Sequence, residues 1–292
     1  MWYRVTLKND RSDLSGGHKG LNVCNHEEAD TRIFLHIDDI TKQGHTSVMI
    51  KTVDTDVVVL AVALFNEIPN IQQLFIAFGT GKNFRTIEIH SLVQSLGPLK
   101  SRALLGFHAF TGCDTVSSFN GRGKKSCWDA WKSFEESTEA FISICCDPSS
   151  ISSNVLKTLE RFTILCYNRT SENIDINLER KDLFTKKRRT IEGLPPTGAA
   201  IYYHTLRAAY QAGQIWAQSR KAELVLPSPS EYGWVLESGR WRPYWSNLPE
   251  AGTACRELIK CSCKLNCKGR CSCYKANLPC TALCQCDCDQ NV

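Results

Sequence analysis

The sequence predicts an α/β protein: a three-layer domain with a mainly parallel sheet, a helical extension, and a small zinc-stabilised, cysteine-rich C-terminal domain. Three observations predict it. Short apolar, β-branched runs alternate with stretches of helical period through roughly the first third of the chain, the pattern of a parallel sheet covered by helices. Strand patterns then give way to mainly helical ones. Finally, ten of the 16 cysteines fall between positions 255 and 288.

Residues 1–22 are polar and Gly-containing and read as an irregular lead-in. Asn25 followed three residues later by Glu28 is a helix-start signal. Ile33, Ile37 and Ile40 then recur at helical spacing up to Gly44, which predicts a helix over 26–43. The run 48–53 is short and apolar and suits a buried parallel strand. From Asp56, VVVLAVALF could extend that strand or open a buried helix, and its length favours the helix. LFIAF (74–78) reads as a second buried strand and RTIEIH (85–90) as a half-buried one. Helices follow over 91–96 and 101–110, separated by the Gly97-Pro98 breaker. A helix over 198–220 and an aromatic hairpin around Ser238-Gly239 complete the extension. The expected boundaries are 23–135 for the core with its helical hairpin, 136–250 for the extension and 255–290 for the zinc domain.

At 292 residues with 42% hydrophobic and 22% charged residues, the chain has an ordinary globular composition. It contains no apolar run of the roughly 20 residues that span a bilayer, so no membrane partner is expected. The start MWYRVTLKNDR lacks an apolar signal core, and an intracellular, reducing location follows as an expectation. In such a compartment dense cysteines hold metal rather than form disulfides. The formal net charge of +5 permits a nucleic-acid partner without demanding one.

The stretch TVDTDVVVL sets Asp54 and Asp56 at the join of two apolar runs. Functional groups of α/β sheets gather at the carboxyl ends of parallel strands, where these two residues would stand. On an extended backbone the i, i+2 spacing directs both to one face. Carboxylates that close repel, so such a pair usually has a compensating Mg²⁺ or Mn²⁺. HEEADTRI adds Glu28 and Asp30 in the first turn of a helix, and TGCDTV adds Asp114 after an apolar helical segment. Each acid also has a plain structural reading: Glu28 completing a capping box with Asn25, Asp30 favouring the helix dipole, Asp114 capping a turn.

In order and type, Glu28-Ala29-Asp30, Asp54-Thr55-Asp56 and Gly112-Cys113-Asp114 resemble the acidic motifs of PIN-like nucleases of the flap-endonuclease type. Gly121-Arg122-Gly123-Lys124-Lys125 stands where that family has a Gly-rich helical hairpin. The resemblance implies a catalytic set of Glu28, Asp30, Asp54, Asp56 and Asp114 sharing two divalent ions, Mg²⁺ or Mn²⁺, that cut a phosphodiester. It implies that Gly121 and Gly123 let backbone N–H groups approach a DNA phosphate, with Lys124 and Lys125 adding charge. Residues 1–22 show no convincing equivalent of the aspartate-bearing strand that opens that family's core.

The tail spaces its cysteines as C-x-C-x3-C-x3-C-x-C-x6-C-x3-C-x-C-x-C, at Cys261, Cys263, Cys267, Cys271, Cys273, Cys280, Cys284, Cys286 and Cys288. Thiolates so closely spaced bind Zn²⁺ tetrahedrally. The pattern resembles a CXC domain of the tesmin type, which implies about three zinc ions sharing bridging sulfurs, and DNA binding in the nucleus. Lys264, Lys268, Arg270 and Tyr274 are the expected DNA contacts of the tail. The alternatives are a structural zinc knot or a protein-binding module. Lys186-Lys187-Arg188-Arg189 reads equally as a nuclear localisation signal or a solvated helix face. Hairpin packing is the favoured reading of the Trp/Tyr group at 232–245, ahead of base stacking.

Overall fold

The computed structural model describes residues 3–5, 24–185 and 193–246, together with Cys273. The chain divides into two compact units, Met1–Trp245 and Ser246–Val292. Among the described residues the first unit is α/β, as expected, and no helix is long and apolar enough to cross a membrane.

Its sheet runs in the order β1-β2-β3-β4, with β1 (Tyr3–Val5), β2 (Ser47–Thr52), β3 (Gln73–Phe78) and β4 (Arg85–Glu88). β1–β2 and β2–β3 are parallel, and β3–β4 is antiparallel. The expectation of an irregular lead-in is corrected by β1, whose three residues are too few to leave a periodic signature.

Helix α1 (Ala29–Lys42) joins β1 to β2, burying Phe34 and Ile37. It starts later than the pattern predicts, and the capping box does not form. Glu28 is the N-cap residue but makes no side-chain cap. The Asn25 amide instead donates to the Leu224 carbonyl at 2.8 Å, and the Asn25 side-chain oxygen accepts from the Leu224 N–H at 2.7 Å. The VVVLAVALF run resolves as helix α2 (Thr55–Leu64), with Val57, Leu60 and Leu64 buried. Each such side chain stabilises the fold by about 1.5–3 kcal/mol.

The two helices expected over 91–96 and 101–110 are one helix, α3 (Ile89–Phe110), broken at Gly97, whose φ of 78° and ψ of 165° are non-helical. Pro98 removes an N–H where the ladder is already interrupted, so the helix resumes at once. Further on come α4 (Lys124–Ser133), α5 (Ser137–Cys146), α6 (Ser153–Tyr167), α7 (Ile176–Thr185) and α8 (Gly198–Ala209).

The helix expected to reach 220 ends as α-helix at Ala209. It continues as a π-type segment, Tyr210–Ile215, and a 3₁₀ turn, Trp216–Gln218. The hairpin of β5 (Trp234–Glu237) and β6 (Arg240–Pro243) forms around Ser238-Gly239. Both turn residues have positive φ, 49° and 75°, as a tight two-residue hairpin turn requires.

One continuous core runs from the sheet through α2 and α3 into α5, α6 and α8. Its centre is aromatic: Phe107 of α3 stacks on Trp131 at 4.7 Å and meets Phe141 and Phe162 edge-on.

Candidate carboxylate site

β2 ends at Thr52, and two residues later the chain turns into α2. Asp54 keeps an extended backbone and is the N-cap: its Oδ1 accepts the Asp56 N–H at 2.8 Å, and its own N–H donates to Thr52 Oγ1 at 3.0 Å. This ties one orphan donor of the helix. Asp56 lies within the first helical turn, so the two acids do not alternate along a strand as the spacing predicts. A strand-to-helix junction brings them together instead.

Asp56 is held by a partner 52 residues away. His108 Nε2, on the last turns of α3, donates to Asp56 Oδ1 at 2.9 Å, both side chains being largely buried. The His108 ring lies against Trp216 with centroids 5.7 Å apart.

Glu28 and Asp30 stand at the start of α1. Burial pushes the Glu28 carboxyl up from its usual range; the Trp216 indole and the Gln211 amide pull it down, and the charges of Asp56 and Asp114 push it up again. The Trp216 N–H lies beside Glu28 yet makes no hydrogen bond of normal geometry, and so stands as a buried open donor. Asp30 is pushed up to about 6, first by burial and then by the charges of Asp54, Asp56, Glu28 and Asp114.

Asp114 is exposed on the turn after α3. That turn is built on Gly112, whose φ is 107° and whose Cα lies so close to Ser118 that a Cβ would come within 2.6 Å of it. The Cys113 N–H donates to the Val116 carbonyl at 2.9 Å and closes it. Burial raises the Cys113 thiol, the Thr115 hydroxyl lowers it, and the nearby Asp56 charge adds a smaller upward push.

All five acids singled out in the sequence are therefore electrostatic neighbours. They are not a closed ligand set: among the described residues, no three His, Cys, Asp or Glu side chains converge to hold a metal ion.

The Gly-rich segment leads into α4. Gly121 (φ 66°) and Gly123 are exposed, as is Lys125, and Gly123 is the N-cap without any side-chain cap. Lys124 turns inward. Its ammonium donates to the carbonyls of His108 and Gly112 and to Thr111 Oγ1 at 2.9 Å. Burial brings its pKa down to about 8, against the opposing pull of Cys113 and Asp56. Arg122 lies over the Tyr167 ring at 4.9 Å.

Sequence reasoning treats His108 as an ordinary helix residue and passes over Trp216 and Gln211. No local spacing marks them, because each acts on an acid far away in the chain. Cys273 is buried. The remaining tail residues, Cys261, Cys263, Cys267, Cys271, Cys280, Cys284, Cys286, Cys288, Lys264, Lys268, Arg270 and Tyr274, lie outside the described residues, as do Lys186, Lys187, Arg188 and Arg189. Comparisons of the chain with protein-family models, with curated proteins and with solved structures find no match in any of the three.

Proposed function

We propose that this chain is a nuclear DNA-binding protein. Its α/β unit carries a PIN-like, divalent-metal-dependent nuclease site, and its cysteine-rich tail binds zinc and DNA. One observation carries the reading of the core: the charges of Asp56 and Asp114 push up both the Glu28 and Asp30 carboxyls and Asp54 adds to the push on Asp30, which brings three separate sequence motifs together around the carboxyl end of β2.

The donors fit a hard divalent cation. All five are carboxylates, the ligand type Mg²⁺ and Mn²⁺ prefer. Burial and mutual repulsion hold Asp30 at about 6, a strain that an added positive charge relieves. When bound, such an ion supplies charge neutralisation at a phosphodiester undergoing cleavage. The protein's own groups do the rest. Asp54 is oriented by its capping bond, Asp56 is oriented by His108, and the exposed Gly121, Gly123 and Lys125 offer small residues and a positive charge to a DNA phosphate. In the tail, nine thiolates within 28 residues support a cluster of about three zinc ions.

The test is incubation of purified full-length protein with Mn²⁺ and flap or single-stranded DNA. Cutting by wild type, abolished in Asp54→Asn/Asp56→Asn at an unchanged melting temperature, supports a nuclease; Asn at position 54 keeps the capping oxygen. A second reading, a DNA-binding module without catalysis, is favoured by the lack of a converged ligand set among the described residues. Binding without cutting selects it. Zinc near three equivalents per chain, lost together with DNA affinity on chelation, supports the assignment of the tail.

A further inference from the structure

Lys124 is the first residue of α4, where a positive charge opposes the helix dipole, and most of its side chain is removed from water. A solvated lysine facing DNA would avoid the second cost and feel the first only through solvent screening. What offsets them is a set of three oxygen acceptors, the carbonyls of His108 and Gly112 and the Thr111 hydroxyl, all from the last turn of α3 and the residues just after it. Such carbonyls are left without intrahelical partners where a helix ends. The side chain of His108 holds Asp56, and the turn that continues from Gly112 bears Asp114. A single ammonium thus fastens the backbone from which two of the five acids are placed.

We infer that Lys124 is a positioning residue for the carboxylate site, fixing the C-terminal end of α3 so that His108 keeps its bond to Asp56 and the following turn presents Asp114. The inference rests on the proposed metal site for its consequence and on the geometry above for its substance, and the two can be tested apart.

The apo-state test follows the His108 ring nitrogens by ¹⁵N NMR in full-length protein without added divalent ions, held at one pH well below the melting temperature. In Lys124→Met, which keeps length and apolar contacts but removes the donors, the ring signals shift toward those of an imidazole without its carboxylate partner. Lys124→Arg, which retains charge and N–H groups, moves them back at least in part. An unchanged His108 signal in Lys124→Met overturns the inference, and so does a melting point that falls while the ring signals stay put. Should Lys124→Met not fold, Thr111→Val, which removes one acceptor, is read in the same way.

The second readout is Mn²⁺ affinity, from the free-ion EPR signal. Lys124→Met weakens it about 10–100-fold, the usual effect of losing a group that orients ligands. The double variant with Asp114→Asn loses less than the product of the single losses, because both act on one ligand. A full product overturns action through Asp114. If wild type binds no Mn²⁺ while His108 still responds to Lys124→Met, the metal reading falls and the positioning role stands.

Discussion

Phe107 and His108 are neighbours on α3, yet they belong to opposite environments. A helix turns about 100° per residue, so the two side chains leave it in different directions. Phe107 enters an aromatic centre made with Trp131, Phe141 and Phe162, whose rings stack on it or meet it edge-on. His108 enters the carboxylate end, where Asp56 is held in place and the crowded acids push up the Glu28 and Asp30 carboxyls. The first region supplies stability and the second spends it. Placing both on one helix lets the packed side fix the strained one, which suits a site that needs its groups held firmly.

The contrast can be broken from its packed side first. Phe141→Ala removes a fully buried ring from the aromatic centre and is expected to destabilise the protein by about 3–5 kcal/mol in chemical denaturation. Next comes Gly106→Ala: at this position a Cβ would lie 2.3 Å from the Phe141 backbone oxygen, so α3 and α5 must separate. About 1–3 kcal/mol of destabilisation should follow, visible as a lowered denaturation midpoint.

Substitutions at the carboxylate end should act in the opposite direction. Asp30→Asn is expected to stabilise the metal-free protein at pH 7, by no more than about 1 kcal/mol because the side chain is only half removed from solvent screening. Its pH dependence has a definite sign. Well below pH 3.8 the Asp30 carboxyl is protonated in both folded and unfolded chains, and the variant gains nothing. Between 3.8 and about 6 the unfolded chain has released the proton that the folded one retains, so wild type loses stability relative to the variant as pH rises; above 6 the gap is constant. His204, lowered to about 4 by burial, has the reverse dependence, but it is present in both proteins and cancels in the difference. Denaturation of both at pH 4, 5, 6 and 7 checks the curve, and a flat difference would refute the crowding of the acids. The smallest effect belongs to Asp114→Asn without metal, expected within about 0.5 kcal/mol of wild type because Asp114 is exposed.

Local signals made the sheet and much of the site legible. The β-branched run before Asp54 and the apolar LFIAF segment mark β2 and β3, and the acids are conspicuous where those runs end. The exact start of α1 was not legible, because Asn25 is engaged by a residue 199 positions away rather than by its own helix. His108 and Trp216 escaped for the same reason: a single polar or aromatic residue in a helical stretch has no periodic mark of a distant partner. Lys124 escaped differently. Its charge was visible, but at the first position of a helix the sequence does not fix whether the side chain points to solvent or to the end of the preceding helix.

The chain around Glu28 has one more consequence, for the order in which the protein becomes itself. Asn25 is tied to Leu224, His26 to the Lys221 carbonyl at 2.6 Å and Asp38 to Arg220 at 2.9 Å, so both flanks of α1 are fastened by a segment made long after it. During synthesis the sheet and the first helices can assemble while that segment is still unmade. The tethers that flank the acids at the start of α1 can form only once residues 220–224 have been made. A chain that ends before residue 220 lacks these three tethers to α1.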